Sequence, residues 1–194
     1  MEMKRTISGM IEAGSLAHNR RAFVTENVDR ERVHLNIKYC DENLKTVYHE
    51  LFDQVVERYN EGKRNDRKIT DYYEKIRQGK QEKLFHEVIF QIGNSKDMVV
   101  GTEEGELVVK VLDEYMKDFQ KRNLTLRVFN CYLHLDEATP HLHIDFVPYV
   151  SDWKGKRMNT RVPLKQAMKS LRFEGGSKRD TELNGRKKEH VKSI

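Results

Sequence analysis

The stretch that most constrains this chain is a pair of apolar, β-rich runs joined by a short connection. Residues 126–135 (LRVFNCYLHL) and 142–150 (LHIDFVPYV) are rich in β-branched and aromatic side chains and read as strands. The connection from Asp136 to Pro140 is short enough to fold the second run back beside the first. Side chains alternate along a strand, so His141 and His143 share one face while Leu142 and Ile144 take the other. Folding back brings His134 opposite this His-x-His pair. A lone histidine on a strand is usually a satisfied core or surface residue. Three at this spacing, beside Asp136 and Glu137, read instead as the ligands of a divalent metal site with open coordination positions.

The rest of the chain supplies a sheet and helices around that hairpin. Residues 33–39 (VHLNIKY) alternate and predict a short strand, and residues 83–92 (KLFHEVIFQI) predict another. Leu44, Val47, Tyr48, Leu51, Phe52, Val55, Val56 and Tyr59 form a helical stripe over 43–60, ended before Gly62. A second helix is expected over 106–122, a short one over 71–78, and another beginning near Pro163. Residues 1–30 carry no clear pattern beyond Gly9, Gly14 and the cluster His18-Asn19-Arg20-Arg21. The fold class expected is α+β: one domain over 1–194 with a central, largely antiparallel sheet and helices packed on it.

Charge is unevenly distributed. Residues 153–194 hold thirteen Lys/Arg against four Asp/Glu, although the whole chain is only +5. A basic segment of this kind favours a polyanion, with nucleic acid the first candidate, although charge runs are often just solvated. Trp153, Lys154, Lys156 and Arg157 mix aromatic and basic side chains as single-strand binding requires. Lys165, Lys169 and Arg172 would line one side of a helix, and Arg64, Arg67, Lys68, Tyr72 and Tyr73 form a further basic-aromatic group. No apolar run approaches a membrane span and no signal-peptide core is visible, so a cytoplasmic protein is expected. The two cysteines, Cys40 and Cys131, lack zinc-finger spacing and are expected as free thiols in a reducing compartment.

The run His134-x-Asp-Glu-x-Thr-Pro-His141-x-His143 resembles the third motif of the MobV-type relaxases, also called Pre/Mob plasmid mobilisation or recombination proteins. His18-Asn19-Arg20-Arg21 resembles their first motif, and Val33-His-Leu-Asn36 falls where their second lies. One departure is Ile37, where an aromatic commonly follows the asparagine. The resemblance implies a DNA strand transferase of the His-hydrophobe-His class. Such an enzyme nicks one strand at an origin-of-transfer hairpin and stays covalently attached to the 5′ end. It implies His18 as nucleophile, giving a phosphoramidate, where most relaxases use a tyrosine; Tyr39 and the Tyr72-Tyr73 pair are the rivals here. Arg21 would stabilise the transition state, Glu137 would orient a ligand or accept a proton, and Arg20 and Asn36 would contact DNA. His134, His141 and His143 would hold Mn²⁺ in preference to Mg²⁺, because imidazole suits softer ions, with Zn²⁺ or Ni²⁺ as further candidates. It also implies dimerisation or coupling through a C-terminal helical region that this sequence does not show. The alternatives are a non-catalytic DNA-binding module with a structural metal, and a metallohydrolase acting on a small phosphoester.

Overall fold

The computed structural model describes residues 7–12 as backbone, and residues 14–79, 81–151, 158, 162 and 164–171 in full. Five strands form one antiparallel sheet: β1 (Ile7–Glu12), β2 (Ile37–Asp41), β3 (His86–Ile92), β4 (Leu126–His134) and β5 (His141–Pro148), in the order β1-β3-β5-β4-β2. The expected hairpin is the middle of this sheet, with His134 directly opposite His141 and Tyr132 opposite His143. β5 pairs on both edges and is buried along its whole length.

Alternation sorts the two faces. Leu142, Ile144 and Phe146 join Val88, Phe90, Leu126, Val128, Cys131 and Leu133 in one cluster. This face is covered by α4 (Glu103–Lys117), α5 (Phe119–Arg122) and α6 (Leu164–Ser170) through Val108, Leu112, Phe119, Ala167 and Met168. On the opposite face Phe129 and Val147 meet α2 (Leu44–Asn60) and α3 (Tyr72–Gln78), which present Val47, Tyr48, Phe52, Val55, Tyr72 and Ile76. Each fully buried large side chain contributes about 1.5–3 kcal/mol. A β-bulge lies between Val128 and Asn130, so that Phe129 serves the α2 cluster while Asn130 reaches Asp41. α2 and α3 cover only one end of their face. At the other end β5 presents His141, His143 and Asp145, and these are covered by α1 (Leu16–Asn19) and the loop that follows it.

The structure departs from the sequence pattern in four places. Val33–Leu35 is a 3-10 turn, and the strand begins only at Ile37. The reason is Asn36, whose side chain accepts from Leu135 N at 2.7 Å and donates to Asp136 at 2.6 Å, tying the segment to the β4–β5 turn instead of a ladder. The helix expected over 106–122 starts at Glu103, where Thr102 caps the Gly105 amide, and breaks at Asp118. The strand expected from residue 83 begins at His86. β1, within the stretch that showed no pattern, pairs with β3 from Ile7 opposite Ile92 to Glu12 opposite Glu87. Among the described residues no helix is long and apolar enough to cross a membrane.

Candidate active site

α1 is only four residues long, and its shape comes from its two caps. Ser15 accepts from the His18 amide at its start. At its end Ala22 N donates to Ala17 O and Arg21 N donates to His18 O, both at 2.9 Å. This is the Schellman pattern, which ordinarily places glycine in the left-handed position. Here that position is Arg21, with φ 52°, the one non-glycine residue with positive φ among those described. Its guanidinium explains the choice. Nε and Nη2 donate to the two oxygens of Asp136 at 2.8 and 2.6 Å, Nη2 also to Glu137 at 2.9 Å, and Nη1 to His18 Nε2 at 3.1 Å. Arginine only donates, so His18 Nε2 must accept through its lone pair.

The other histidines are held the same way, each by one ring nitrogen. His134 Nε2 donates to the Asn19 carbonyl at 3.0 Å, His141 Nδ1 to the Thr139 carbonyl at 2.9 Å, and His143 Nδ1 to Glu87 at 2.8 Å. For His134 and His143 this fixes a tautomer and leaves the opposite nitrogen with a free lone pair, whereas His141 Nε2 faces Glu137 at 3.6 Å. His134 Nδ1 and His143 Nε2 are buried without a hydrogen-bond partner. The ring centroids of the three lie 4.7 to 5.3 Å apart. Potential ligand atoms of His18, His134 and His143 fall within 4.8 Å of one another, as do those of His134, Glu137 and His141. Orphaned lone pairs converging beside a carboxylate are the donor set of a cation, so these residues fit a divalent metal.

The electrostatics favour neutral imidazoles. Burial, reinforced by His143, pushes His134 down to about 3. Burial likewise lowers His143, and burial together with the Arg21 charge lowers His18. Against the upward push of burial, His141 and Arg21 bring Glu137 down to about 2, so it is a carboxylate. Asp145 goes the other way, to about 8, because it is buried and faces the Glu87 charge. Asn19 bridges these last two, its Nδ2 donating to both at 2.8 Å. Gly14 allows the approach: a Cβ there would lie 2.5 Å from the Phe85 ring and 3.0 Å from Asp145.

His18, Arg21, His134, Glu137, His141 and His143 therefore come together as one site. Asn36 and Arg20 adjoin it, each engaged with other protein groups. Asn36 is spent on the β4–β5 turn, and Arg20 is paired with Asp41 at 2.7 Å, which also accepts from Asn130 and Tyr132. Lys165 and Lys169 are exposed, but α6 packs on the sheet face opposite the histidines, so the structure does not bring them to the site. Trp153, Lys154, Lys156 and Arg157 lie outside the described residues, as does Arg172. Tyr39 donates to Asp113 on α4 and packs with the opposite face. Tyr72 and Tyr73 pack in the α2–α3 cluster against Tyr48. Asn19 stood in the first motif without a role of its own, and Glu87 was not singled out by sequence. The available signal was Glu87 standing beside the apolar run Val88–Phe90.

A model of the plasmid recombination enzyme family matches residues 26–193. The chain belongs to that family. The match contains Asn36 and the whole His134–His143 motif, whereas His18 and Arg21 precede it, so their place in the site rests on the geometry above. A relative in the family, the plasmid recombination enzyme of Streptococcus agalactiae, is 28% identical over 163 residues, covering 81% of this chain. The chain spans about 30% of that protein's length. Among solved structures, the MobM relaxase domain bound to a 22-nucleotide origin of plasmid pMV158, a Mn-bound crystal structure, is 24% identical. Its TM-score is 0.42, with 86% of this chain and 83% of that one covered. The same domain bound to a 26-nucleotide origin is 21% identical at a TM-score of 0.36, with the same coverage.

Proposed function

We propose that this chain is a relaxase domain: a metal-dependent DNA strand transferase that nicks one strand at an origin of transfer. The observation that carries this reading is the placement of an Arg21-poised His18 beside His134 and His143, with potential ligand atoms of all three within 4.8 Å, while Glu137 and His141 form a second such group around His134. Membership of the plasmid recombination family supports DNA as the substrate, in a single-stranded or hairpin form, and action in the cytoplasm. His134, His141 and His143 would hold a divalent cation, Mn²⁺ before Mg²⁺, supplying Lewis-acid neutralisation of the non-bridging phosphate oxygens.

The chain's own residues supply the rest. Once Arg21 Nη1 releases its hydrogen bond to His18 Nε2, that nitrogen attacks phosphorus with its lone pair, and the bond from phosphorus to the 3′ oxygen breaks. The proton lost from His18 Nδ1 is balanced by the one gained at the 3′ oxygen, leaving a free 3′-hydroxyl and a 5′-phosphate joined to His18. Attack by a 3′-hydroxyl reverses the step and rejoins the strand. Arg21 orients His18 and offers charge to the phosphate. Glu137, 3.8 Å from His18 Nε2, offsets positive charge on the ring during attack. His18 keeps 26% of its side chain exposed, which leaves an approach for a strand.

One observation favours a second reading. His18 lies close enough to His134 and His143 to act as a further ligand. A cation closed by four imidazoles would be structural, and the chain a DNA-binding module without strand scission. Supercoiled plasmid carrying the protein's own upstream intergenic DNA, incubated with Mn²⁺ and run on denaturing gels with and without protease, separates the two. A single nick with a protease-sensitive 5′ end is expected. Retardation without scission across Mn²⁺, Mg²⁺ and Zn²⁺ would overturn the strand-transfer reading.

A further inference from the structure

The rim beside His18 carries an apolar surface that neither the fold nor the chemistry above uses. Phe23 is 49% exposed, the only aromatic side chain among the described residues left open to this extent. It belongs to neither core cluster. Its ring centroid lies 6.3 Å from that of His18 at an interplanar angle of 55°. His18 thus has Phe23 as one ring neighbour, with His134 and His143 the others at 5.8 and 5.6 Å. Val24, next in the chain, is also exposed.

The backbone under Phe23 is fixed on both sides. Two residues earlier the Arg21 side chain is locked on Asp136 and Glu137. Four residues later Asn27 donates to the other oxygen of Glu137 at 2.9 Å, and Thr25 donates to Asn27 at 2.6 Å. The segment is therefore tethered at both ends to the carboxylates of the site, and its apolar ring is held in water next to the nucleophile. Exposing a large aromatic at a polar centre forgoes its burial. A ring placed this way matches what single-stranded nucleic acid recognition requires: a π-face for a base, next to the group that engages the backbone.

We propose that Phe23 is a positioning residue, a stacking platform for the nucleobase flanking the phosphate that His18 attacks. The inference rests on the strand-transfer reading. Stacking accepts any base face, so Phe23 supplies affinity and alignment, with sequence choice left to other contacts. By fixing one nucleotide it would hold the scissile phosphate within reach of His18 Nε2.

The test uses single-stranded oligonucleotides across the mapped nick site, with an abasic unit replacing in turn each nucleotide flanking the scissile phosphate. Phe23→Ala is expected to raise KM and Kd by roughly 5- to 150-fold, the range for stacking one base on an aromatic ring, with the loss concentrated in KM. Phe23→Tyr and Phe23→Trp should restore most of it, and Phe23→Leu should not. One abasic position should weaken wild type comparably and add nothing to Phe23→Ala, the signature of a shared contact. An unchanged KM for Phe23→Ala, equal rescue by leucine, or additive losses with both abasic substrates would overturn the inference while leaving strand transfer standing. Loss of self-association in Phe23→Ala without change in KM would reassign the ring to a protein interface. Absence of cleavage by wild type would overturn the strand-transfer reading and this inference with it.

Discussion

Arg21 sits in a backbone conformation that costs an L-residue about 1–2 kcal/mol, at a helix end where glycine would avoid it. Its side chain, 5% exposed, pairs with the fully buried Asp136 and with Glu137. Arg21→Gly separates the two effects. Relief of the backbone should be outweighed by leaving the carboxylates without their cation, a loss of about 3–5 kcal/mol for breaking a buried pair. A net fall in the urea midpoint is expected, with Arg21→Lys between the two because it keeps charge without the fork. A glycine variant as stable as wild type would mean that the guanidinium does not hold the turn. Asp145 gives a pH-dependent counterpart. Burial and the Glu87 charge raise its folded pKa to about 8, above that of an unfolded carboxyl. Its contribution is then fully present below the unfolded pKa and is lost as pH rises through about 8. With chelator present, this contribution to wild-type stability should fall between about pH 4 and about pH 8 and level off above that. Asp145→Asn should lack this fall, and equal losses in both proteins would place the titrating group elsewhere.

The β4–β5 hairpin is the element that makes a site possible, and α1 is the element that completes it. Asn19 joins them: its carbonyl accepts from His134 and its amide bridges Glu87 and Asp145. Asn19→Ala should weaken Mn²⁺ binding by about 10- to 100-fold in calorimetry, although Asn19 offers no ligand itself. Unchanged affinity would show that α1 docks without that bridge. This division also explains what could be read in advance. The hairpin and its histidines were legible because alternation and a short connection act locally. α2 was legible because its stripe repeats with helical period. β1 was not, because it forms by pairing with β3, whose partner residues lie 75 to 85 positions away in sequence. Residues 33–35 read as strand because their alternation is real, but the Asn36 side chain captures the turn and overrides it. Glu87 escaped, and Asn19 was read without its bridging role, because both depend on α1 docking where β3 and β5 become neighbours.

At the scale of the whole molecule, two apolar clusters on opposite faces of one sheet leave the polar centre at one end, where burial favours the neutral form of His18, His134 and His143. Burial holds His134 near 3 and, with help from Lys83, His86 near 4, both below the unfolded histidine value. The stability they contribute is present above that value and lost as pH falls, because the unfolded chain takes up protons first. The melting temperature of metal-free protein should therefore drop steadily from about pH 6.5 towards pH 4. Saturating Mn²⁺ should raise it at pH 7.5. A pH-independent melting temperature over that range would contradict the neutral assignment. The central claim is that His18 is the nucleophile of a strand-transfer centre. Peptide mapping by mass spectrometry of the protein–DNA adduct formed with Mn²⁺ addresses it most directly. The expected result is an acid-labile nucleotide adduct on the peptide carrying His18, absent in His18→Ala while Mn²⁺ binding persists. An adduct on a tyrosine peptide, or one that survives in His18→Ala, would contradict it.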